Sequence, residues 1–429
     1  MESAGLIAIT LLFLFMLLSI PVFVSMGLAA FIGFVMVEGI DLAIASFGDI
    51  VWQSASIFEL VAIPLFIFTG VLVEKIEAGR DLFDFAKAWV GNVPNSLGAA
   101  TILACGVFAA ISGSSIATAA TVGIVAIPLL LQERYSQAQA GGFCAGGGTL
   151  GIIIPPSIPF ILYGVITETS IGKLFIAGIL PGILMMSLFM LYVVLASRPR
   201  IVVRHTPSPG QRREAARRGI GILLLPIVII AAIYTGLFTP TEVGALSAVY
   251  VLLLGFVQRR LTWRRFLDAS STATRTTCML LMLVVFGQYF AHFLTFEQVP
   301  QTIAGWITAY DAGPFVTVTL MILVYLVLGM FLESAAMLLI SIPIFFPIAM
   351  HVGMDPITFG VFACIAMEIA QISPPVGINL YTIHGVSRIP LWNLAKGAAP
   401  FLLIQLGMLY VVYYFPALSL WLPQHMIGR

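Results

Sequence analysis

Two apolar stretches of membrane-spanning length each carry a pair of consecutive prolines near the middle, Pro155–Pro156 and Pro374–Pro375. Proline has no amide hydrogen and its ring blocks helix continuation, so each pair strips carbonyls of the preceding turn of their helical donors. In hydrocarbon no water answers such groups, and each one left bare is costly. A chain built this way must bury both breaks inside protein or offer their oxygens to a cation.

That the breaks lie in a membrane follows from how little of the chain is charged. Hydrophobic residues make up 60% and charged residues 9%, against roughly 25% charged in a soluble domain. Residues 219–238, 243–258 with their flanks, and 397–421 are apolar runs long enough for a hydrocarbon core about 30 Å thick. Only Met1, Glu2 and Ser3 precede the first apolar run, which lacks a basic start and a small-residue cleavage site, so a retained helix is expected rather than a signal peptide. Residues 6–37 form one kinked helix or two; Pro21 supports the division, which places Met1 in the periplasm. Cys105, Cys144, Cys278 and Cys364 are scattered through apolar segments without CxxC spacing, which fits small apolar fillers and neither a disulfide framework nor a zinc site.

The charges set the topology. Arg198, Arg200, Arg204, Arg212, Arg213, Arg217 and Arg218 crowd one connection, Arg259, Arg260, Arg264 and Arg265 another, and no Lys or Arg occurs between Arg275 and Arg388. The positive-inside rule puts both connections in the cytoplasm. One helix out and one back join them, with Thr239 as N-cap, Pro240 at the first helical position and Glu242 as the acid of a capping box. Residues 171–196 then enter the cytoplasm, and 138–166, broken by the first proline pair, leave it. The amphipathic stretch 75–89 with Arg80 and Lys87, and the polar run Gln132, Glu133, Arg134, belong on the cytoplasmic side. Residues 96–131 therefore enter and return, turning at Gly113, Ser114 and Ser115. Two arms of about 16 residues, roughly 24 Å, just reach across a thin bilayer as an ordinary helix pair, but the small uncharged tip favours a re-entrant hairpin buried in protein.

The second half repeats this grammar from the other face. Residues 315–350 form a hairpin about 332–335 that opens to the periplasm, after the acidic, lysine-free stretch 297–311. A second broken helix, 356–387, runs inward to Arg388 and Lys396, and the last helix ends outside, where Lys173 and Arg429 are the basic residues. An offset near 219 residues brings the two proline pairs into register and Tyr163 close to Tyr381.

At each tip one arm ends in free carbonyls, which suit Na+, and the next begins with free amides, which suit a carboxylate. Ser114, Ser115 and Thr118 add hydroxyl donors on one side; Glu333, Ser334 and Gln371 are their counterparts on the other. Glu333 and Glu368 are intramembrane carboxylates and so functional candidates. For Glu333 an ion site and a hydrogen bond holding the tip both remain open. Asn379, just past the second break, either satisfies its own backbone or touches solute, and Ser157, Tyr163 and Tyr381 are the other solute-facing candidates. The glycine run 146–151 is no nucleotide loop, because no GK[ST] follows; close helix packing and an exposed backbone oxygen are its two readings. His292, His351 and His384 are too dispersed for a metal cluster. No catalytic constellation, organic cofactor or nucleic-acid partner is expected.

The segments GSSIATAATVG (113–123), GGTLGIIIPPS (147–157), TPTE (239–242), LGMFLE (328–333) and SPP (373–375) together resemble the large membrane subunit of the tripartite ATP-independent periplasmic (TRAP) transporters. The resemblance covers almost the whole chain. It implies an all-α polytopic, inverted-repeat, elevator-type transporter of the bacterial inner membrane, with two re-entrant hairpins and two broken helices. The mobile transport domain is expected at 96–168 and 313–387, against a scaffold at 1–95, 169–312 and 388–429. The family implies Na+-coupled import of an organic anion such as sialic acid or a C4-dicarboxylate. It also implies two partners, a small four-helix membrane subunit and a periplasmic solute-binding protein, and the chain looks like the unfused type. By the same resemblance one Na+ site falls at Ser114, Ser115, Gly151, Ile154 and Pro155, and another at Gly329, Glu333, Gln371, Ser373 and Pro374. A stand-alone Na+/carboxylate symporter of related architecture is the alternative.

Overall fold

The computed structural model describes residues 2–91, 93–196, 208–309 and 313–426, and every regular element among them is a helix. Met1, Arg198, Arg200, Arg204, Arg429 and the end of the acidic stretch at 310–312 lie outside the described residues. The chain opens with α1 (Glu2–Leu17) and α2 (Val22–Glu38), divided at Pro21, so residues 6–37 are two helices. Next come α3 (Ile40–Ala55), a 3-10 turn (Phe58–Val61), α4 (Ala62–Lys75) and the amphipathic α5 (Ala78–Val90).

The first hairpin is α6 (Ser96–Ser112) and α7 (Ser115–Gln132), and the first broken helix is α8 (Gln137–Gly148), α9 (Leu150–Ile153) and α10 (Ile158–Thr167). Four long helices follow: α11 (Ile171–Leu195), α12 (Pro209–Tyr234), α13 (Pro240–Val257) and α14 (Trp263–Phe296). The expected capping box begins α13: Thr239 N–H donates to Glu242 Oε2 at 2.8 Å, and Glu242 N–H to Thr239 Oγ1 at 3.3 Å. After α15 (Val299–Ala309) come the second hairpin, α16 (Pro314–Leu328) and α17 (Ser334–His351), and the second broken helix, α18 (Pro356–Ile372) and α19 (Ile378–Ser387). The apolar run 397–421, expected as one span, is two helices, α20 (Leu391–Tyr414) and α21 (Ala417–Gln424), because Pro416 interrupts it. Eight helices among the described residues are long and apolar enough to cross a membrane.

The internal repeat is visible in the helix bounds. Ser115 and Gln132 of α7 lie 219 residues before Ser334 and His351 of α17, and Ile153 of α9 lies 219 before Ile372 of α18. The correspondence runs on beyond the hairpins and breaks: α11 maps onto α20 to within one residue.

Ion pairs collect the basic connections and the amphipathic stretch at one end of the molecule. Lys75 pairs with Asp268 at 2.7 Å, Glu77 with Arg265 at 2.7 Å, and Asp81 takes both arms of Arg260. Arg80, Asp84, Arg218 and Arg259 line the same polar recess. Burial holds the Asp84 carboxyl above its ordinary range, against the pull of Lys87 and Arg80.

Two packing groups emerge. α2 and α14 interlock, with Gly27 beneath the Phe286 ring and Gly33 beneath Phe293, while α4 lies against α13 and α14. The hairpins and broken helices form the other group. The boundaries expected at 169 and 388 assign α11 and α20 to the scaffold; α11 packs on α21 and α6, and α20 packs most closely on α8 and α18. The physical reason is steric: α8 and α20 meet backbone to backbone, where a Cβ on Gly397 would lie 1.8 Å from the Ala138 carbonyl oxygen. Close approach of this kind rests on small residues. The glycine run serves the same end, with Gly146 beneath the Phe401 ring and Gly147 against Cys105. Cys105, Cys144 and Cys364 are buried fillers, whereas Cys278 is exposed on α14.

Candidate functional site

Both hairpin tips meet the proline breaks. In the first repeat, Pro155 and Pro156 supply no N–H to the carbonyls of Gly151 and Ile152 four residues earlier, so α9 stops at Ile153 and the chain runs extended through Ile154 and Ser157. Gly113 caps α6 at φ +59, a left-handed geometry that glycine takes without strain. A Cβ there would lie 2.6 Å from the Pro156 carbonyl oxygen. One on Gly151 would lie 2.6 Å from the Ser114 carbonyl oxygen and 2.8 Å from the Ser115 nitrogen. Tip and break are therefore in backbone contact, and only glycines permit it.

The tip is tied internally. Ser114 caps α7, its Oγ accepting from Ala117 N–H at 3.3 Å; Thr118 Oγ1 donates to the Ser114 carbonyl at 2.7 Å and lies 3.0 Å from Ser112 Oγ. Thr118 is thus a brace for the loop. Ser115 is buried in the first turn of α7.

The second repeat builds the same junction with different side chains. Gly329 ends α16, and a Cβ on it would overlap that of Ala370 on α18 at 1.9 Å. Gln371 Nε2 donates to Ser334 Oγ at 2.8 Å, clasping tip to break directly, and its Oε1 has no protein partner. Ser373 Oγ donates to the Ala370 carbonyl at 3.2 Å just before Pro374. Both Pro–Pro peptides are cis.

The two tips share a cavity of about 400 Å³. Ser114, Ser115, Glu333 and Ser334 line it from the hairpins; Gly70 and Glu74 of α4 and Thr272 and Thr276 of α14 close the opposite wall, and no Lys or Arg contributes among the described residues. Sequence reasoning had passed over this wall. Its signal is the polar run from Ser270 to Thr277 on α14, which puts Thr272 and Thr276 on one helix face.

Four expected solute-facing residues do not line this cavity. Tyr163 is buried, and its hydroxyl donates to the Pro356 carbonyl at 2.5 Å. Tyr381 is 48% exposed, away from the tips. Ser157 and Asn379 are buried beside the breaks, with Ser157 Oγ and both amide atoms of Asn379 unpartnered. Unpartnered buried oxygen is what a bound cation would use: hydroxyl, amide and carbonyl donors are hard ligands that suit Na+ rather than a transition metal.

Comparison with known proteins places this architecture. The family model of the "Tripartite ATP-independent periplasmic transporter, DctM component" matches residues 9–418. The C4-dicarboxylate TRAP transporter large permease protein DctM of Pseudomonas aeruginosa is 40% identical over 380 residues, 87% of this chain and 88% of that protein. The isethionate TRAP transporter permease protein DctMQ of Oleidesulfovibrio alaskensis is 33% identical over 419 residues, 95% of this chain and 64% of that longer protein. Among solved structures, the YdaH transporter of Alcanivorax borkumensis superposes with a TM-score of 0.64 over 92% of this chain and 91% of its own, at 14% identity, and so shares the fold. With family motifs, permease relatives and the paired hairpins in agreement, the chain belongs to the DctM family and is a multi-span large permease subunit of a TRAP transporter.

Proposed function

We propose that the chain imports a small organic anion across the bacterial inner membrane, driven by Na+ bound at the two tip–break junctions, by an elevator motion of one helix group against the other. The observation that carries this reading is the shared cavity: both tips, each in contact with a break, face one space between the hairpin group and the α4–α14 wall. The moving body comprises the hairpins, the broken helices and, on their packing, α11 and α20. Ser114, Ser115, Gly151, Ile154 and Pro155 hold one Na+; Gly329, Glu333, Gln371, Ser373 and Pro374 hold the other. With no cationic side chain in the lining among the described residues, the anion is met by hydroxyls and by the free first-turn amides of α7 and α17. The cavity lies beside the halves of α4 and α14 that end at the Lys75–Asp268 pair, which supports reading this arrangement as inward-facing.

The driving force is adequate. One net positive charge moved inward gains about 2.3 kcal/mol per 100 mV, and a tenfold gradient gives about 1.4 kcal/mol per Na+. Two Na+ with a monoanion supply about 5 kcal/mol, enough for accumulation on the order of a thousandfold. Solute is delivered by a periplasmic binding protein and the carrier is completed by a small membrane subunit. The word tripartite in the family description and the joined name DctMQ of one relative support both partners. The P. aeruginosa relative makes C4-dicarboxylates the first solutes to try. Reconstituted with those partners in liposomes, the carrier should accumulate solute only under an inward Na+ gradient. Uptake that needs neither Na+ nor the binding protein overturns the reading.

A further inference from the structure

Glu368 lies in the interior of α18, four residues before the end of the helix at Ile372, and is wholly buried. Both carboxylate oxygens lack a hydrogen bond of regular geometry, and none of the described ion pairs includes it. Its polar neighbour is the Ser115 hydroxyl, contributed by the tip of the other repeat. An uncompensated carboxylate at this depth is too costly to persist, so the group either holds a proton or is answered by a positive charge. No Lys or Arg occurs between Arg275 and Arg388 in the sequence around it.

Repeat symmetry shows that the fold does not demand an acid here. The equivalent residue, 219 positions earlier, is Thr149, which is neutral and fully bonded: its Oγ1 donates to the Gly146 carbonyl at 2.6 Å and accepts from Gln405 Nε2 at 2.5 Å. One repeat thus closes the position with hydrogen bonds, while the other leaves a carboxylate facing a hydroxyl across the junction of the two halves.

We propose that Glu368 is the anionic ligand of the cation held at the first hairpin tip, which is thereby gripped by Ser115 of one repeat and by the carboxylate of the other. The remaining donors of that site are neutral oxygens, and a carboxylate supplies the charge that removes the desolvation penalty of the ion. The inference rests on the Na+ reading above. It adds that the first site exists only while hairpin tip α6–α7 and broken helix α18 are in contact.

The test is Na+-dependent thermal unfolding of the full chain in lipid nanodiscs, titrating NaCl against choline chloride at constant ionic strength. The wild type should be stabilised saturably by Na+. Glu368→Gln, the neutral isostere, should raise the Na+ concentration giving half the effect at least tenfold. An unchanged half-effect concentration overturns the proposal alone, since it makes Glu368 a protonated packing group. A wild type with no Na+-specific response overturns the proposal and the Na+ reading together. Glu368→Asp, which keeps the charge one methylene further back, decides the matter if the amide variant does not fold: a shift of threefold or more is expected, and none refutes it.

Discussion

Replacing Gly151 with alanine should damage ion binding far more than it damages the fold. The added Cβ would lie 2.6 Å from the Ser114 carbonyl oxygen and 2.7 Å from its carbon, both backbone, where ordinary contact begins at 3.4 Å. The tip must therefore retreat by about 0.8 Å, because no flexible side chain is there to give way. Hard cations hold oxygen at about 2.3–2.6 Å, so a retreat of that size opens each contact from the tip beyond 3 Å. Overpacking of this kind costs about 1–3 kcal/mol, and charged to binding that is a loss of about 5- to 150-fold in Na+ affinity. The assay is Na+-dependent thermal unfolding beside Gly147→Ala, whose Cβ meets the Cys105 sulfur at 2.8 Å rather than the tip. Gly147→Ala should lower the unfolding midpoint without moving the Na+ dependence. If Gly151→Ala binds Na+ as the wild type does, the tip–break contact is not the ion site.

Three further outcomes are expected. Gln371→Leu removes the 2.8 Å donation to Ser334 and leaves a buried hydroxyl short of a partner, at about 1–3 kcal/mol; the Na+ dependence of uptake should lose cooperativity, which a Hill analysis checks. Gly397→Val drives a side chain into the Ala138 carbonyl and should destabilise by about 1–3 kcal/mol or abolish folding, so wild-type melting would refute the α8–α20 approach. Asp84 has a folded-state pKa above its ordinary 3.8 because of burial. The folded chain therefore holds that proton more tightly than the unfolded one, and stability from this group rises as pH falls through the folded pKa. Asp84→Asn should flatten that limb of the melting profile, which lies above the ordinary carboxylate pKa of about 4.

The hairpins and breaks were legible because prolines, glycines and serines act locally. Pro155–Pro156 and Pro374–Pro375 end helices wherever they stand, and Gly113 marks a turn by its own backbone freedom. The charge pattern likewise brought stretch 75–89 and the Arg259–Arg265 connection to one end, where ion pairs join them. The close packing of α20 on α8 was hidden, since a helix facing lipid and a helix facing protein are equally apolar. Only backbone proximity at Gly142 and Gly397 separates them. The cavity wall on α14 was missed for a related reason: Thr272 and Thr276 are ordinary helix residues until the opposing tip is in place. Tyr163 and Tyr381 stand in register in the sequence, yet only the structure shows that the Tyr163 hydroxyl is bonded to the Pro356 carbonyl.

That bond, from Tyr163 to the Pro356 carbonyl, joins the two broken helices at the start of α18, and Gly360 presses against the same ring. The halves of the repeat are joined there, so on the elevator reading proposed above the two junctions travel together. If Na+ drives the carrier as proposed, one such rivet ties both ion sites to a single movement.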